Sequence, residues 1–214
     1  MTRSHSLALP LRRQDVLRLA VGDTVLLTGE VTVTGGMPAH QRIQQCLQRG
    51  ESTPVSIADT FLHLPVMLLE GSAGCDVRYA NPTTSMRFAS YMPQLIRAFD
   101  LRIVGGKGGL DSMSVEAMQE VGCVYLSLLG GGSPILSDCI EQVTCVGWDD
   151  LPVHFRLSRL KVRDLGPLSV AIDAHGNSIY AQLAAQARTR LPHILERLDA
   201  RRSKAERGPG GTNN

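Results

Sequence analysis

No stretch of this 214-residue sequence approaches the roughly 20 consecutive apolar residues that cross a bilayer. Its opening, MTRSHSLALPLRRQ, holds only a very short apolar run broken by Pro10. Neither a membrane span nor a secretory leader is expected. Aromatic residues are scarce, at four Phe, four Tyr and one Trp. The core must then rest on Leu, Val, Ile, Ala and Met, and stacking on nucleic-acid bases is not expected. Charge of one sign is lacking too, because 22 basic and 20 acidic residues leave a net +2. With no broad field to hold a polyanion, nucleic acid is not the expected partner. The cysteines, Cys46, Cys75, Cys123, Cys139 and Cys145, are odd in number and form no C-x-x-C pair. Buried free thiols in a reducing cytoplasm are expected, with no metal knuckle of their own.

What is present fits one compact domain. With 43% hydrophobic and 20% charged residues the chain has material for a real core. A single domain is expected over 1–198, followed by a basic, glycine-rich disordered tail over 199–214 that ends GPGGTNN.

Strand and helix patterns alternate, which predicts an α/β fold. A strand is expected over Val21–Gly29 and another over Glu30–Thr34, where polar and apolar residues alternate. Ile43 and Leu47 are four apart and predict a helix from Ala39 to Arg49, ended by Gly50. Phe61–Leu69 carries Pro65 and reads as an edge strand or one that begins after the proline. Met92, Leu95, Ile96 and Phe99 predict a helix over Phe88–Phe99, and a further helix over Ser114–Glu120 is expected to be capped by Ser112 or Ser114. The unbroken apolar run Gly122–Leu129 suits a buried strand, and Ile135–Val143 reads as a helix. His154–Val162 and Leu168–Ile172 read as separate strands, and Tyr180–Leu198 as a helix kinked at Pro192.

Two polar turns beside apolar strands, the second of them glycine-rich, draw the chemistry. In Pro82-Thr83-Thr84-Ser85-Met86-Arg87 three hydroxyls precede an expected helix, whose free N–H groups would attract an anion. Arg87 in the first turn would add donors matched to a carboxylate. In Gly105-Gly106-Lys107-Gly108-Gly109 one lysine stands among four glycines, so backbone and ammonium can both approach a ligand. Neither turn is a nucleotide loop. Gly108, not Ser or Thr, follows Lys107, and the spacing of G-x-G-x-x-G is absent. A small carboxylate is the better match. The plainer readings are a helix cap for Thr-Thr-Ser, a solvated loop lysine for Lys107, and turn punctuation for the glycines.

Asn81-Pro-Thr-Thr-Ser-Met-Arg87 resembles the G-P-T-T-S-M-R segment of tartrate dehydratase β subunits, and Val104-Gly-Gly-Lys-Gly-Gly109 is similar to their V-G-K-G-G loop. Further matches fall in order: Val21-Gly-Asp-Thr-Val-Leu-Leu-Thr-Gly29, Ala39-His40-Gln-Arg42, Val146-Gly-Trp-Asp-Asp-Leu151, and Gly166-Pro-Leu-Ser-Val-Ala-Ile-Asp-Ala-His-Gly-Asn177. The resemblance is to the β subunit of iron–sulfur hydro-lyases of the tartrate dehydratase and class I fumarase family, and it covers nearly everything between residues 15 and 180.

That resemblance implies a swivelling β/β/α domain with a mixed sheet and flanking helices. It implies reversible hydration or dehydration of a 2-hydroxy (di)carboxylic acid, and a [4Fe–4S] cluster held by an α subunit rather than by this chain. A hetero-oligomer of α2β2 type is implied with it. Thr83 would act near the proton transfer, with Lys107 and His40 beside it, while Arg87, Thr84, Ser85 and Gly106 would bind the substrate. His40 orients a neighbour or is a satisfied histidine, and both readings stand.

One position departs. The family's R-D-x-x-H segment carries an Arg-Asp pair where this sequence has Gly36 and Met37 before His40. Losing a charge-assisted contact costs about 2 to 5 kcal/mol. A modified substrate is the favoured consequence; an arginine from another segment, or a non-catalytic or regulatory partner that keeps the fold, are the others.

Overall fold

The computed structural model describes residues 2–71 and 74–206. Its elements run β1 (Ser4–Ala8), α1 (Arg13–Leu17), β2 (Thr24–Val33), α2 (Met37–Arg49), β3 (Thr60–Leu62), β4 (Val66–Gly71), β5 (Gly74–Ala80), α3 (Met92–Ala98), β6 (Ile103–Gly106), α4 (Ser112–Val121), β7 (Val124–Ser127), α5 (Ser133–Asp138), β8 (Ile140–Gly147), β9 (Leu157–Ile172) and α6 (Ile179–Glu206). Short 3-10 turns cover Ser85–Phe88 and Val153–Phe155.

This is an α/β fold with a mixed sheet and flanking helices. The seven-stranded sheet has the order β1-β2-β3-β6-β7-β9-β8, and β2 also pairs with β9. The ladder β2-β3-β6-β7 is parallel, whereas β9 runs antiparallel to β2, β7 and β8. The extra β2–β9 pairing closes five strands on themselves. Inside lies an aliphatic cluster that includes Val25, Leu27, Val31, Leu62, Ile103, Val124, Leu126, Leu160 and Leu168, as the shortage of aromatics requires. Every residue of β6 is buried, as parallel strands covered on both faces tend to be.

Several expected boundaries move, each for a local reason. The two strands expected either side of Gly29 are one, β2, because register shifts between Val25 and Gly29 absorb the irregularity without ending the ladder. The two expected around Gly166-Pro167 are likewise one 16-residue strand, β9. Pro65 falls between β3 and β4, and β4 forms a two-stranded hairpin with β5, a strand the sequence reading missed. The helix expected from Phe88 begins at Met92, with Pro93 in its first turn, so residues 85–88 form only a 3-10 turn. Asp111, not a serine, caps α4 by accepting from the Ser114 amide at 3.0 Å. The helix expected over Ile135–Val143 stops at Asp138, and the chain continues as β8.

Residues up to Ser178 form one compact unit and those from Ile179 a second. The second unit is α6, which continues through Pro192 and past Leu198 to Glu206 on strong helix formers such as Ala200, Arg201 and Arg202. Residues 207–214 of the expected tail lie outside the described residues. No described helix is long and apolar enough to cross a membrane. Of the free thiols Cys46, Cys123, Cys139 and Cys145, only Cys123 is buried and Cys145 is exposed, a correction to the expectation of buried cysteines; the Cys75 side chain lies outside the description.

Candidate functional site

The threonine turn and the lysine loop meet. Thr84 and Lys107 form an isolated parallel bridge, built from Ser85 N–H donating to the Lys107 carbonyl at 2.8 Å and Lys107 N–H donating to the Thr83 carbonyl at 3.0 Å. One residue further in, Thr83 N–H donates to the His63 carbonyl (2.9 Å) and His63 N–H to the Gly105 carbonyl (2.7 Å). The Thr-Thr-Ser segment is thus laid along the end of β6 like an extra strand.

That pairing changes how the site binds. The amides of Thr83, Ser85 and Arg87 are spent on protein carbonyls, and no α-helix starts at Ser85. The expected helix-terminus anion site does not form, and what the site offers a ligand is its side chains.

Those side chains line a cleft of about 360 Å³ bounded by Pro65, Met67, Tyr79, Asn81, Pro82, Thr83, Thr84, Arg87, Lys107 and His154. Met67 and Tyr79 are cross-strand partners in the β4–β5 hairpin, so the hairpin forms one wall. Among the described residues no carboxylate lines the cleft, and neither Arg87 nor Lys107 has an ion-pair partner. Two uncompensated cations beside two threonine hydroxyls make a positive recess with neutral donors, suited to a small anion.

Of the residues singled out in the sequence, Thr83, Thr84, Arg87 and Lys107 come together on the cleft. Ser85, Gly106 and His40 stand behind it. The Ser85 hydroxyl is fully buried and lies 2.8 Å from both His63 Nδ1 and the Tyr125 hydroxyl, and Tyr125 accepts the Gly109 amide at 3.3 Å. Ser85 therefore ties the threonine turn to both ends of the lysine loop. Gly106 lies under it: a Cβ there would sit 2.2 Å from Ser85 Oγ and 3.0 Å from His63 Cβ.

His40 is fully buried on α2. Its ring stacks on Phe88 with centroids 4.1 Å apart and planes 3° apart, and its Nδ1–H donates to the Gly36 carbonyl at 2.8 Å. Burial drives its pKa down to about 4, against the opposing effect of that hydrogen bond. His63 is likewise buried, and burial followed by the charge of nearby His40 holds its pKa well below the ordinary range. Both rings are neutral, and Nε2 of each lacks a partner among the described residues. His40 packs on Phe88, the last residue of the turn that carries Arg87, and does not line the cleft.

The position where the resembling family has arginine is closed. A Cβ on Gly36 would lie 2.5 Å from Phe155 Cβ and 2.7 Å from its Cγ, while Met37 is 37% exposed at the start of α2. Sequence reasoning missed His154, Tyr79 and Met67 as cleft residues. The two on the hairpin carried no motif, and His154 arrives from a distant segment by folding.

Among the described residues no group of three His, Cys, Asp or Glu side chains comes together to hold a metal ion. The four described cysteines are spread over α2, the turn before β7, the turn before β8 and β8 itself. The described residues do not fit an iron–sulfur cluster.

Residues 2–183 match the family model described as Fumarase C-terminus. A protein of Geobacillus stearothermophilus provisionally named fumarate hydratase class I is 30% identical over 196 residues, covering 91% of this chain but 37% of that protein. The chain therefore spans well under half of that relative. A Methanocaldococcus jannaschii protein provisionally named L(+)-tartrate dehydratase subunit beta is 30% identical over 188 residues, 86% of this chain and 95% of that one. The L(+)-tartrate dehydratase subunit beta of Escherichia coli strain K12 is 28% identical over 192 residues, 90% of this chain and 94% of its own. With the family model spanning residues 2–183 of 214, the chain belongs to the Fumarase C-terminus family.

Proposed function

We propose that this chain is the β subunit of a hydro-lyase that adds water to, or removes it from, a 2-hydroxy (di)carboxylic acid bound in the cleft. One observation carries the reading for this site: among the described residues, the recess that Arg87 and Lys107 share holds no carboxylate and no ion partner for either. A carboxylate ligand would supply the missing charge, through a fork of donors from Arg87 and a point charge from Lys107. The relatives named as fumarate hydratase and as L(+)-tartrate dehydratase subunit beta support the same chemistry.

In this reading Arg87 and Lys107 hold carboxylate oxygens, and Thr84 orients them. Thr83 exchanges the proton of the C–H bond that breaks as hydroxide leaves, or forms as water adds. Ser85, Gly106 and His63 keep the two turns in register, and His40 backs the Arg87 turn.

The name "subunit beta" of two relatives supports a partner chain. We assign to that α subunit the [4Fe–4S] cluster that the resemblance implies, in a cytoplasmic α2β2-type hetero-oligomer. The closed arginine position favours a second reading, a partner that keeps the fold without turnover.

One experiment separates the two: anaerobic co-expression with the candidate α subunit, iron–sulfur reconstitution, and a screen of hydroxy acids for formation of the conjugated alkene. The enzyme reading requires turnover that falls steeply in Arg87→Ala and Lys107→Ala. No turnover of any acid, or turnover untouched by both substitutions, overturns it.

A further inference from the structure

In the sequence His154 only opens an expected strand. In the fold it belongs to the 3-10 turn Val153–Phe155, ahead of β9, and that turn is anchored on three sides. Thr34 Oγ1–H donates to the Phe155 carbonyl at 3.1 Å. Phe155 N–H closes the turn onto the Pro152 carbonyl at 2.7 Å. Arg156 reaches back to the Leu151 carbonyl (3.0 Å) and the Asp149 carbonyl (2.7 Å).

The turn is seated on bare backbone. Phe155 rests on Gly36 so closely that any Cβ there would overlap it, and beside it Gly35 is equally close to Pro65, a cleft residue. Only glycine at 36 lets Phe155 sit at this depth. The consequence appears one residue earlier: His154, its ring edge-on to Phe155 at 4.2 Å, lines the cleft with Thr83, Thr84, Arg87 and Lys107. Neither ring nitrogen of His154 has a hydrogen-bond partner among the described residues.

We propose that His154 is a specificity-determining residue of this cleft: its imidazole hydrogen-bonds an oxygen of the bound hydroxy acid, and the packing of Phe155 on Gly36 delivers it there. This rests on the reading of the cleft as a hydroxy-acid site and adds which side chain, besides the two cations, selects the acid. An imidazole is shorter than an arginine and does not offer a parallel pair of donors, so it suits a hydroxyl or a single carboxylate oxygen better than a bidentate carboxylate.

The test uses the complex with the α subunit and two probes, L(+)-tartrate and L-malate, with KM, kcat and equilibrium binding measured for each. His154→Ala is expected to raise KM or Kd for the preferred acid by about tenfold or more, the scale of one hydrogen bond to a charged group. KM should rise by a larger factor than kcat falls, and the preference between the two acids should change. His154→Asn, which keeps a donor, should recover part of the loss. Gly36→Ala, which displaces Phe155, should reproduce the defect without touching His154.

If His154→Ala leaves KM, binding and the preference ratio unchanged while Arg87→Ala weakens binding, the inference about His154 fails and the cleft reading stands. If no acid of the hydroxy-acid screen binds or turns over in the unmodified complex, both fail.

Discussion

Gly106 lies so close to the Ser85 hydroxyl that a Cβ on the glycine would sit 2.2 Å from Oγ. That oxygen is already held at 2.8 Å by His63 on one side and Tyr125 on the other, so it has no free direction in which to move. Gly106→Ala must therefore break one of those contacts or shift the threonine turn. A loss of about 1–3 kcal/mol in unfolding free energy is expected, measured by chemical denaturation. An alanine that cost nothing would show that the two turns are not locked as described.

Ser85→Ala probes the same lock from the other side without overpacking it. His63 would then have neither ring nitrogen paired among the described residues, and a buried polar atom left unsatisfied costs about 1–3 kcal/mol. Ser85→Thr, which keeps the hydroxyl but adds a methyl against Gly106, should not restore stability, whereas His63→Phe in the Ser85→Ala background should recover part of it. Thermal melts of the three variants decide.

How the site could be read in the sequence follows from that geometry. Thr83, Thr84, Arg87 and Lys107 were visible because hydroxyls and cations gathered in two short turns beside apolar strands match what a small anion needs. Ser85 and Gly106 belong to the same motifs, yet they turn inward, where Ser85 meets His63 and Tyr125 and Gly106 lies against its hydroxyl. Local pattern cannot show that turn without knowing the two segments pair. The α/β class and helix α2 with its Gly50 stop were legible from periodicity and punctuation. The continuity of β2 and β9 was not, since pairing between strands far apart in sequence carries each one through its irregular glycines. His154 lay furthest from reach. Its position depends on Phe155 seating against Gly36, a contact between residues more than a hundred positions apart.

Acid should weaken the fold through the buried histidines. Burial holds His40 at about 4, below its ordinary value of 6.5, so between those values the unfolded chain binds a proton that the folded one does not. The contribution is complete above pH 6.5 and is lost as pH falls towards 4, amounting to about 3 kcal/mol for His40. His63 acts in the same direction. Carboxylates such as Asp23 and Asp150, whose pKa values are lowered, add their own acid sensitivity, so the informative quantity is a difference. His40→Phe keeps a ring against Phe88 but cannot titrate, and its unfolding free energy should fall less than the wild type's between pH 6.5 and 4. Parallel curves would mean that His40 is not buried neutral.

Arg87 and Lys107 line one cleft without a described counter-charge, and the proposal that both hold the same ligand has a consequence beyond the loss each causes alone. Each truncation should lower kcat/KM in the reconstituted complex by the equivalent of about 1.5–3 kcal/mol, the scale of one hydrogen bond to a charged group. If both cations act on one carboxylate, removing the first lets the ligand shift, and the second is then worth less. The double variant should accordingly fall short of the summed single losses by about 0.5–3 kcal/mol, the range for residues that share a partner. Independent sites would give additive losses within a few tenths of a kcal/mol. Additivity would place the two cations on different groups, with one carboxylate held by Arg87 and the other by Lys107, and the acid would then span the cleft between the threonine turn and the lysine loop.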